Sequence, residues 1–232
     1  MKQTTFILGS GVLLLLLLGP ASALAIPLAD SAADFSLTQG QNNWEYGYIA
    51  PETSMAFLPM PCSGDFWFGS GYAVHPDLYW TIVTKNWAHP HGPQASRGSE
   101  AVEHWAVRRW LSEIDGSVQL TGDFHPGDIR GDNVTASIWV DGLQVWSEDL
   151  AGVQPDVGVF DLVVPVSLGA PIDFAIAPND TSNYDTTYFS TQVFAADTER
   201  PDDFQAIPEP ATLALLGAGL AGLALRKRRN RT

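Results

Sequence analysis

The stretch that most restricts the fold is residues 134–147. Val134, Ala136, Ile138 and Val140 fall on one side of a period-two alternation, with Thr135, Ser137 and Trp139 on the other. Asp141-Gly142 follows at once, a dipeptide that tolerates the positive φ values of a type I′ turn, and residues 143–147 return as the partner strand. Residues 117–124, 160–166, 172–177 and 187–195 continue the pattern between Gly-, Pro-, Asn- and Asp-bearing loops. Residues 101–112 also alternate, but both faces mix apolar and charged groups, so alternation does not select the buried one. Before residue 101 the texture is irregular and predicts short strands joined by long loops. Strand edges are expected at 34–36 and 44–48, linked by a turn-rich segment over 39–43. Seven or more short strands, without the long crossovers that parallel pairing needs, predict an all-β antiparallel sandwich.

Both chain ends are of a different kind. Lys2, an apolar stretch over 6–18 with six consecutive leucines, and the Gly19-Pro20 break form a secretory signal over residues 1–25. Ala21, Ala23 and Ala25 supply the small residues that signal peptidase requires, in two alternative registers. At the other end Pro208, Glu209 and Pro210 precede an unbroken small and aliphatic run of 15 residues, 211–225, closed by Arg226, Lys227, Arg228 and Arg229. That run is shorter than the roughly 20 residues needed to span hydrocarbon, so it crosses only if residues 207–210 sit at the interface or the bilayer thins. The basic cluster belongs on the cytoplasmic side, which leaves the preceding chain outside.

This tripartite tail resembles a PEP-CTERM sorting signal, with Pro208, Glu209 and Pro210 as the motif, 211–225 as the transmembrane helix and Arg226 to Arg229 as the basic end. The resemblance implies recognition by an exosortase, processing near the motif, and transfer to the cell surface or an exopolysaccharide matrix. The expected organisation is a signal peptide over 1–25, a β-sandwich ectodomain over 26–200, a linker over 201–207 and the sorting signal over 208–232. The processing partners are signal peptidase and exosortase, and the membrane is engaged through the C-terminal helix before processing.

With the ends assigned to targeting, the exported portion keeps six cations against 25 acids, a net charge near −19. Such a surface repels phosphate backbones and excludes nucleic acid as a partner. Cys62 is the only cysteine, so no disulfide within the chain holds the fold and burial alone must do so. Beside Pro61 it reads as a small buried residue.

Residues 106–110, 116–122, 134–142, 172–175 and 185–187 are together similar to carbohydrate-binding-like jelly rolls of the galactose-binding type. That resemblance implies a non-catalytic sandwich that binds glycan through loops or a concave face. Sugar binding needs flat apolar rings to stack on pyranose C–H groups, with carboxylates and amides alongside. Trp44, Trp67, Trp80 and Trp87, in the irregular half, are the candidate glycan-binding residues, although a sandwich core is the commoner place for a tryptophan. Trp139 and Trp146 flank the hairpin, where cross-strand packing accounts for them. Asp123, Asp128, Asp132 and Asn133 offer hard oxygen ligands from a Gly-containing loop, a candidate structural calcium site, with ordinary turn chemistry as the alternative. His89-Pro90-His91 lacks a third ligand at metal spacing, and Arg130-Gly131-Asp132 reads as a turn. No nucleophile elbow, zinc-protease motif or phosphate loop is present. The sequence therefore predicts an exported surface or matrix protein, with no enzymatic activity and no cofactor beyond that ion, whose ectodomain is structural or binds extracellular polysaccharide. The alternatives are a secreted glycan-acting hydrolase and a protein-binding adhesin.

Overall fold

A computed structural model describes residues 26–68, 81–92, 102–151 and 157–196. The signal segment 1–25, the linker 201–207 and the sorting tail, including the expected transmembrane helix, lie outside the described residues, as do Trp80 and His75.

Fourteen strands, numbered in chain order, form two sheets among the described residues, and every pairing is antiparallel. The first sheet runs β12 (Gly158–Val166), β9 (Gly116–Pro126), β14 (Thr187–Ala195), β7 (Trp87–His89), β6 (Ile82–Val83), β5 (Phe66–Phe68) and β4 (Cys62–Ser63). β1 (Ala29–Asp30) joins the same side of β14 as β7, at the Gln192–Val193 end. The second sheet runs β11 (Leu143–Leu150), β10 (Val134–Val140), β13 (Pro171–Pro178), β8 (Trp105–Leu111), β2 (Trp44–Ala50) and β3 (Ser54–Pro59). The expected antiparallel sandwich is the architecture found. Because β1 pairs with the end of β14, the first and last strands of the fold lie side by side.

Period-two alternation places one side of each long strand between the sheets. Val118, Leu120 and Phe124 of β9, Phe160 of β12 and Phe189 and Val193 of β14 share one core with Ile138 of β10, Phe174 of β13 and Trp110 of β8. Phe124 is at its centre, with ring centroids of Phe189, Phe160 and Trp146 at 4.8, 5.7 and 5.8 Å. Each such aromatic pair adds roughly 0.5–1.5 kcal/mol to the burial term.

The core also holds a charge. Arg108 of β8 points inward and is only 3% exposed. Its Nη1 donates to Ser31 O at 2.8 Å, and its Nη2 donates to Lys85 O at 3.1 Å and to Thr84 O. The rings of Phe189, Phe35 and Tyr46 surround the guanidinium at 5.1, 5.7 and 5.8 Å. Burial lowers its pKa to about 10, against the smaller opposing effects of Tyr46 and Asp30, which still leaves it charged at neutral pH.

The mixed faces of 101–112 have a physical cause, because β8 is covered on both sides. Opposite the main core, Ile49, Val107 and Ala175 form a second cluster under Phe57, Trp105 and Trp139. Arg109 bridges this face, paired with Asp173 through two bonds of 2.6 and 2.8 Å and stacked 4.1 Å over Phe57.

The predicted hairpin forms, with Asp141 at φ 50 and Gly142 at φ 78. A bulge shifts the register between Ile138 and Trp139, so Trp146 pairs with Ile138 and stacks in the core while Trp139 turns to the outer face. The two tryptophans therefore pack on opposite sides of the sheet rather than on each other. Residues 34–36 are not a strand edge. Asp30 Oδ1 accepts from the N–H groups of Ala32 and Ala33 at 2.9 and 2.8 Å, and Asp34 N donates to Asp30 O, which closes a turn there. Residues 41–43 form a short 3-10 turn after a left-handed Gly40, with Asn42 and Asn43 also at positive φ. Cys62 is exposed rather than buried, because the two-residue β4 sits at the open edge of the first sheet.

Replacing Arg108 by Met keeps the packing volume but leaves the carbonyls of Ser31, Thr84 and Lys85 without their donor. At about 1–3 kcal/mol per orphaned buried acceptor, R108M is expected to lose on the order of 3 kcal/mol or more of stability. Urea unfolding should show a lower midpoint at unchanged slope, and a midpoint equal to that of the parent would contradict the assignment.

Candidate functional site

Two of the four tryptophans expected at a glycan site are core residues. Trp44 is fully buried on the inner side of β2, 6.1 Å from the Phe174 ring. Trp67 is 3% exposed, stacked on Tyr46 at 5.2 Å and 11°, and its Nε1–H donates to Ser36 O at 3.0 Å. Neither ring has a free face for a sugar, because both occupy inward positions of their strands. Trp80 lies outside the described residues, and Trp87 is half-buried on β7.

Trp87 belongs to a surface that sequence spacing does not reveal. Its register partner on β14 is Tyr188, whose partner on β9 is His125, and directly opposed residues share a face. Tyr188 is 41% exposed and stacks on His125 at 5.1 Å and 13°. The next row pairs Ser190 with Asp123 and the row after it Gln192 with Thr121, with β12 presenting Val159 and Asp161 beyond Asp123 and Thr121. The outer face of the first sheet is therefore an aromatic row followed by polar rows. From Tyr188 to Gln192 it extends roughly 13 Å, at about 3.3 Å per residue.

The polar groups of this face are held in place by one another. Asp123 accepts from Ser190 Oγ at 2.6 Å, and its other oxygen lies 3.0 Å from His125 Nδ1. Gln192 Nε2 donates to Asp30 Oδ2 at 2.9 Å, and Gln119 Nε2 to Asp161 Oδ1 at 2.7 Å. Burial of Asp30 opposes its ionisation, but the donors from Ala33, Gln192 and Ala32 outweigh burial and hold the carboxyl below its usual range. A hollow of about 310 Å³ opens where β1 meets this face, lined by Asp30, Ala32, Thr121, Gly122, Ser190, Thr191 and Gln192. That volume lies at the lower end of the roughly 300–1,000 Å³ typical of small-molecule clefts. The outer face of the second sheet differs, since Phe57, Trp105 and Trp139 are spent covering its own small apolar cluster.

The calcium candidates do not converge as one set. Asp123 belongs to the outer face of the first sheet, whereas the other three lie in the loop that follows β9. Asp128 is bound by Arg130 at 2.9 and 2.5 Å, and that bond holds its carboxyl down to about 2. Asp132 accepts from Thr181 N and Oγ1 at 2.7 and 3.1 Å, so the acid of Arg130-Gly131-Asp132 serves as a loop clamp. Asn133 adopts a left-handed φ of 83°. The loop also brings in a residue that sequence reading passed over. Asp185, just before β14, is 3% exposed, and neither of its carboxylate oxygens has a hydrogen-bond partner. Burial, and then nearby Asp132, push its carboxyl up to about 8. The histidines at 89, 91 and 104 are buried, and burial, then His91, lowers His104 to about 4, which keeps it neutral. Among the described residues no group of three or more His, Cys, Asp or Glu is placed to hold a metal.

Comparison with known proteins identifies the tail. Residues 206–229 match the PEP-CTERM protein-sorting motif, a signal of exported proteins directed to the cell surface and processed by exosortase. No protein of curated function matches the chain. Among solved structures the chain is similar to a family 35 carbohydrate-binding module from Clostridium thermocellum, with 15% identity, 57% of this chain and 90% of that one covered, and a TM-score of 0.31. It is similar to a second such module from Paenibacillus barcinonensis at 14% identity, with 57% and 91% covered and a TM-score of 0.28. A family GH115 4-O-methyl-α-glucuronidase with specificity for decorated arabinogalactans matches at 12% identity over 77% of this chain and 19% of that one, with a TM-score of 0.37.

The opposite placements of Trp67 and Tyr188 can be measured. Trp67→Ala should cost about 3–5 kcal/mol by emptying a core site, whereas Tyr188→Ala should cost about 1 kcal/mol or less. Equal losses in chemical denaturation would show that the two rings do not occupy inner and outer positions.

Proposed function

We propose that this is an exported protein, processed at its sorting tail, whose β-sandwich is a non-catalytic module that binds extracellular polysaccharide on the outer face of the first sheet. The observation that carries the binding reading is the cross-strand row Trp87, Tyr188 and His125 beside the polar hollow of Asp30, Thr121, Ser190 and Gln192. An exposed ring next to fixed carboxylate and amide groups is what a pyranose needs, an apolar face on one side and hydroxyl partners on the other. The sorting motif over 206–229 supports delivery to the surface, where such polymers are found. β1 pairs antiparallel with the end of β14, so the chain enters and leaves the described part of the sandwich at neighbouring points.

A non-catalytic role is supported by the state of the acids. A glycosidase needs one carboxyl with a raised pKa facing its substrate. Asp30, at the hollow, is lowered instead, and Asp185, which is raised, is buried away from this face.

Affinity electrophoresis through gels containing the host's own extracellular polysaccharide tests the reading. Retardation is expected for the parent protein and for Leu143→Ala, an exposed change on an edge strand, with an affinity loss of about tenfold, or roughly 1.4 kcal/mol, for Tyr188→Ala. Equal retardation of parent and Y188A would move the site elsewhere, and no retardation by any polymer would reduce the ectodomain to a structural role. Intact mass of material from the native envelope should lack the signal segment and be cut near Pro208 to Pro210; a full-length mass would contradict the processing.

A further inference from the structure

The outer face of the first sheet carries its charge in a pattern that restricts what it can hold. Asp30, Gln192, Thr121 and Asp161 stand in one cross-strand row over β1, β14, β9 and β12, and Asp123 stands in the next row, opposite Ser190. At about 4.8 Å between neighbouring strands, Asp30 and Asp161 are about 14 Å apart, so no point along the row is further than about 7 Å from a carboxylate. That is inside the Debye length of roughly 8 Å at physiological salt, so a charge laid on the row is not screened from all of them.

Among the described residues no arginine or lysine stands in these rows to offset the acids. Arg108 is in the core, while Arg109 and Arg130 are paired with Asp173 and Asp128. Lys85, in the β6–β7 turn, has its effect on Asp30, where it adds a little to the donors that hold that carboxyl below its usual range. Hydrogen-bond chemistry acts in the same direction as charge. An ionised carboxylate offers about four acceptor positions and no donor. Asp30 accepts from Ala32 N, Ala33 N and Gln192 Nε2, Asp161 accepts from Gln119 Nε2, and Asp123 meets Ser190 Oγ and His125 Nδ1, so each keeps room for a donating hydroxyl. A ligand carboxylate brings acceptors alone and would meet acceptors.

We propose that this surface takes uncharged polysaccharide and rejects polyuronates, with Asp30, Asp123 and Asp161 as the residues that set the specificity. The inference rests on the reading of this face as a glycan-binding surface and names the class of polymer that fits it. The aromatic row of Trp87 and Tyr188 stacks on sugar C–H groups whatever the charge of the polymer, so it supplies affinity, and the polar rows discriminate by leaving a ligand carboxylate unpaired among like charges. The hollow at Asp30 repeats the pattern, since its other lining side chains are the neutral Ala32, Thr121, Ser190, Thr191 and Gln192.

The test uses the whole protein in mild detergent and the host's extracellular polysaccharide in two forms, one with its carboxyls reduced to alcohols and one with its primary alcohols oxidised to carboxylates. Affinity electrophoresis of the parent should show binding to the reduced form and binding roughly tenfold or more weaker to the oxidised form. In D123N/D161N, which keeps both side-chain shapes, that ratio should fall by about threefold or more. D149N/E52Q removes the same number of charges from exposed positions of the second sheet and should leave the ratio as in the parent, which separates the charge of this face from repulsion by the acidic molecule as a whole. An unchanged ratio in D123N/D161N would overturn the assignment of these residues. Equal or tighter binding of the oxidised form, weakened by Tyr188→Ala, would keep the surface and overturn its specificity, whereas binding of neither form would overturn both.

Discussion

A single buried guanidinium sets the geometry on which the rest of the fold depends. Arg108 has no carboxylate partner; its Nη1 and Nη2 donate to the carbonyls of Ser31, Thr84 and Lys85, which belong to two separate connections of the first sheet, while its Nε has no hydrogen-bond partner. It rises from the second sheet, so those bonds fix the separation of the layers and draw in the turn after β1 and the hairpin between β6 and β7. Those elements are the ones that flank β14. A charge so placed is tolerable because carbonyl dipoles and three aromatic faces replace its hydration, and misplacing any of them would leave it costly. The position of Trp87 and the wall of the hollow at Asp30 both follow from this anchoring.

Much of the architecture was legible from residue patterning because burial on a sheet is periodic. The hairpin at Asp141-Gly142 could be read directly, since the turn chemistry and the alternation of β10 agree. The β8 segment could not be oriented, because Val107 and Arg109 face a second small cluster while Arg108 and Trp110 face the main core, and a strand covered on both sides loses its contrast. The first hundred residues were harder, since β4 to β7 are two or three residues long and carry no period at all.

The candidate site was less legible for a related reason. Aromatic density before residue 101 pointed to Trp44 and Trp67, but density reports where rings are and not which way they point, and both turn inward. Tyr188 and His125 are separated by more than sixty residues and become neighbours only through the pairing of β9 with β14. The only trace in the sequence is alternation within each strand, Tyr188, Ser190 and Gln192 in one and Thr121, Asp123 and His125 in the other. Asp185 was hidden in the same way, since its burial comes from the loop after β9 closing over it. The sorting tail, by contrast, is a linear signal, and linear signals need no fold to be recognised.

The account makes the outer face of the first sheet the working surface of an exported module. Aromatic side-chain NMR on the protein, with and without the host's extracellular polysaccharide, tests that most directly. The account predicts shifts concentrated at Trp87, His125 and Tyr188, with Trp105 and Trp139 on the opposite layer unchanged. Shifts centred on Trp105 and Trp139 would contradict it.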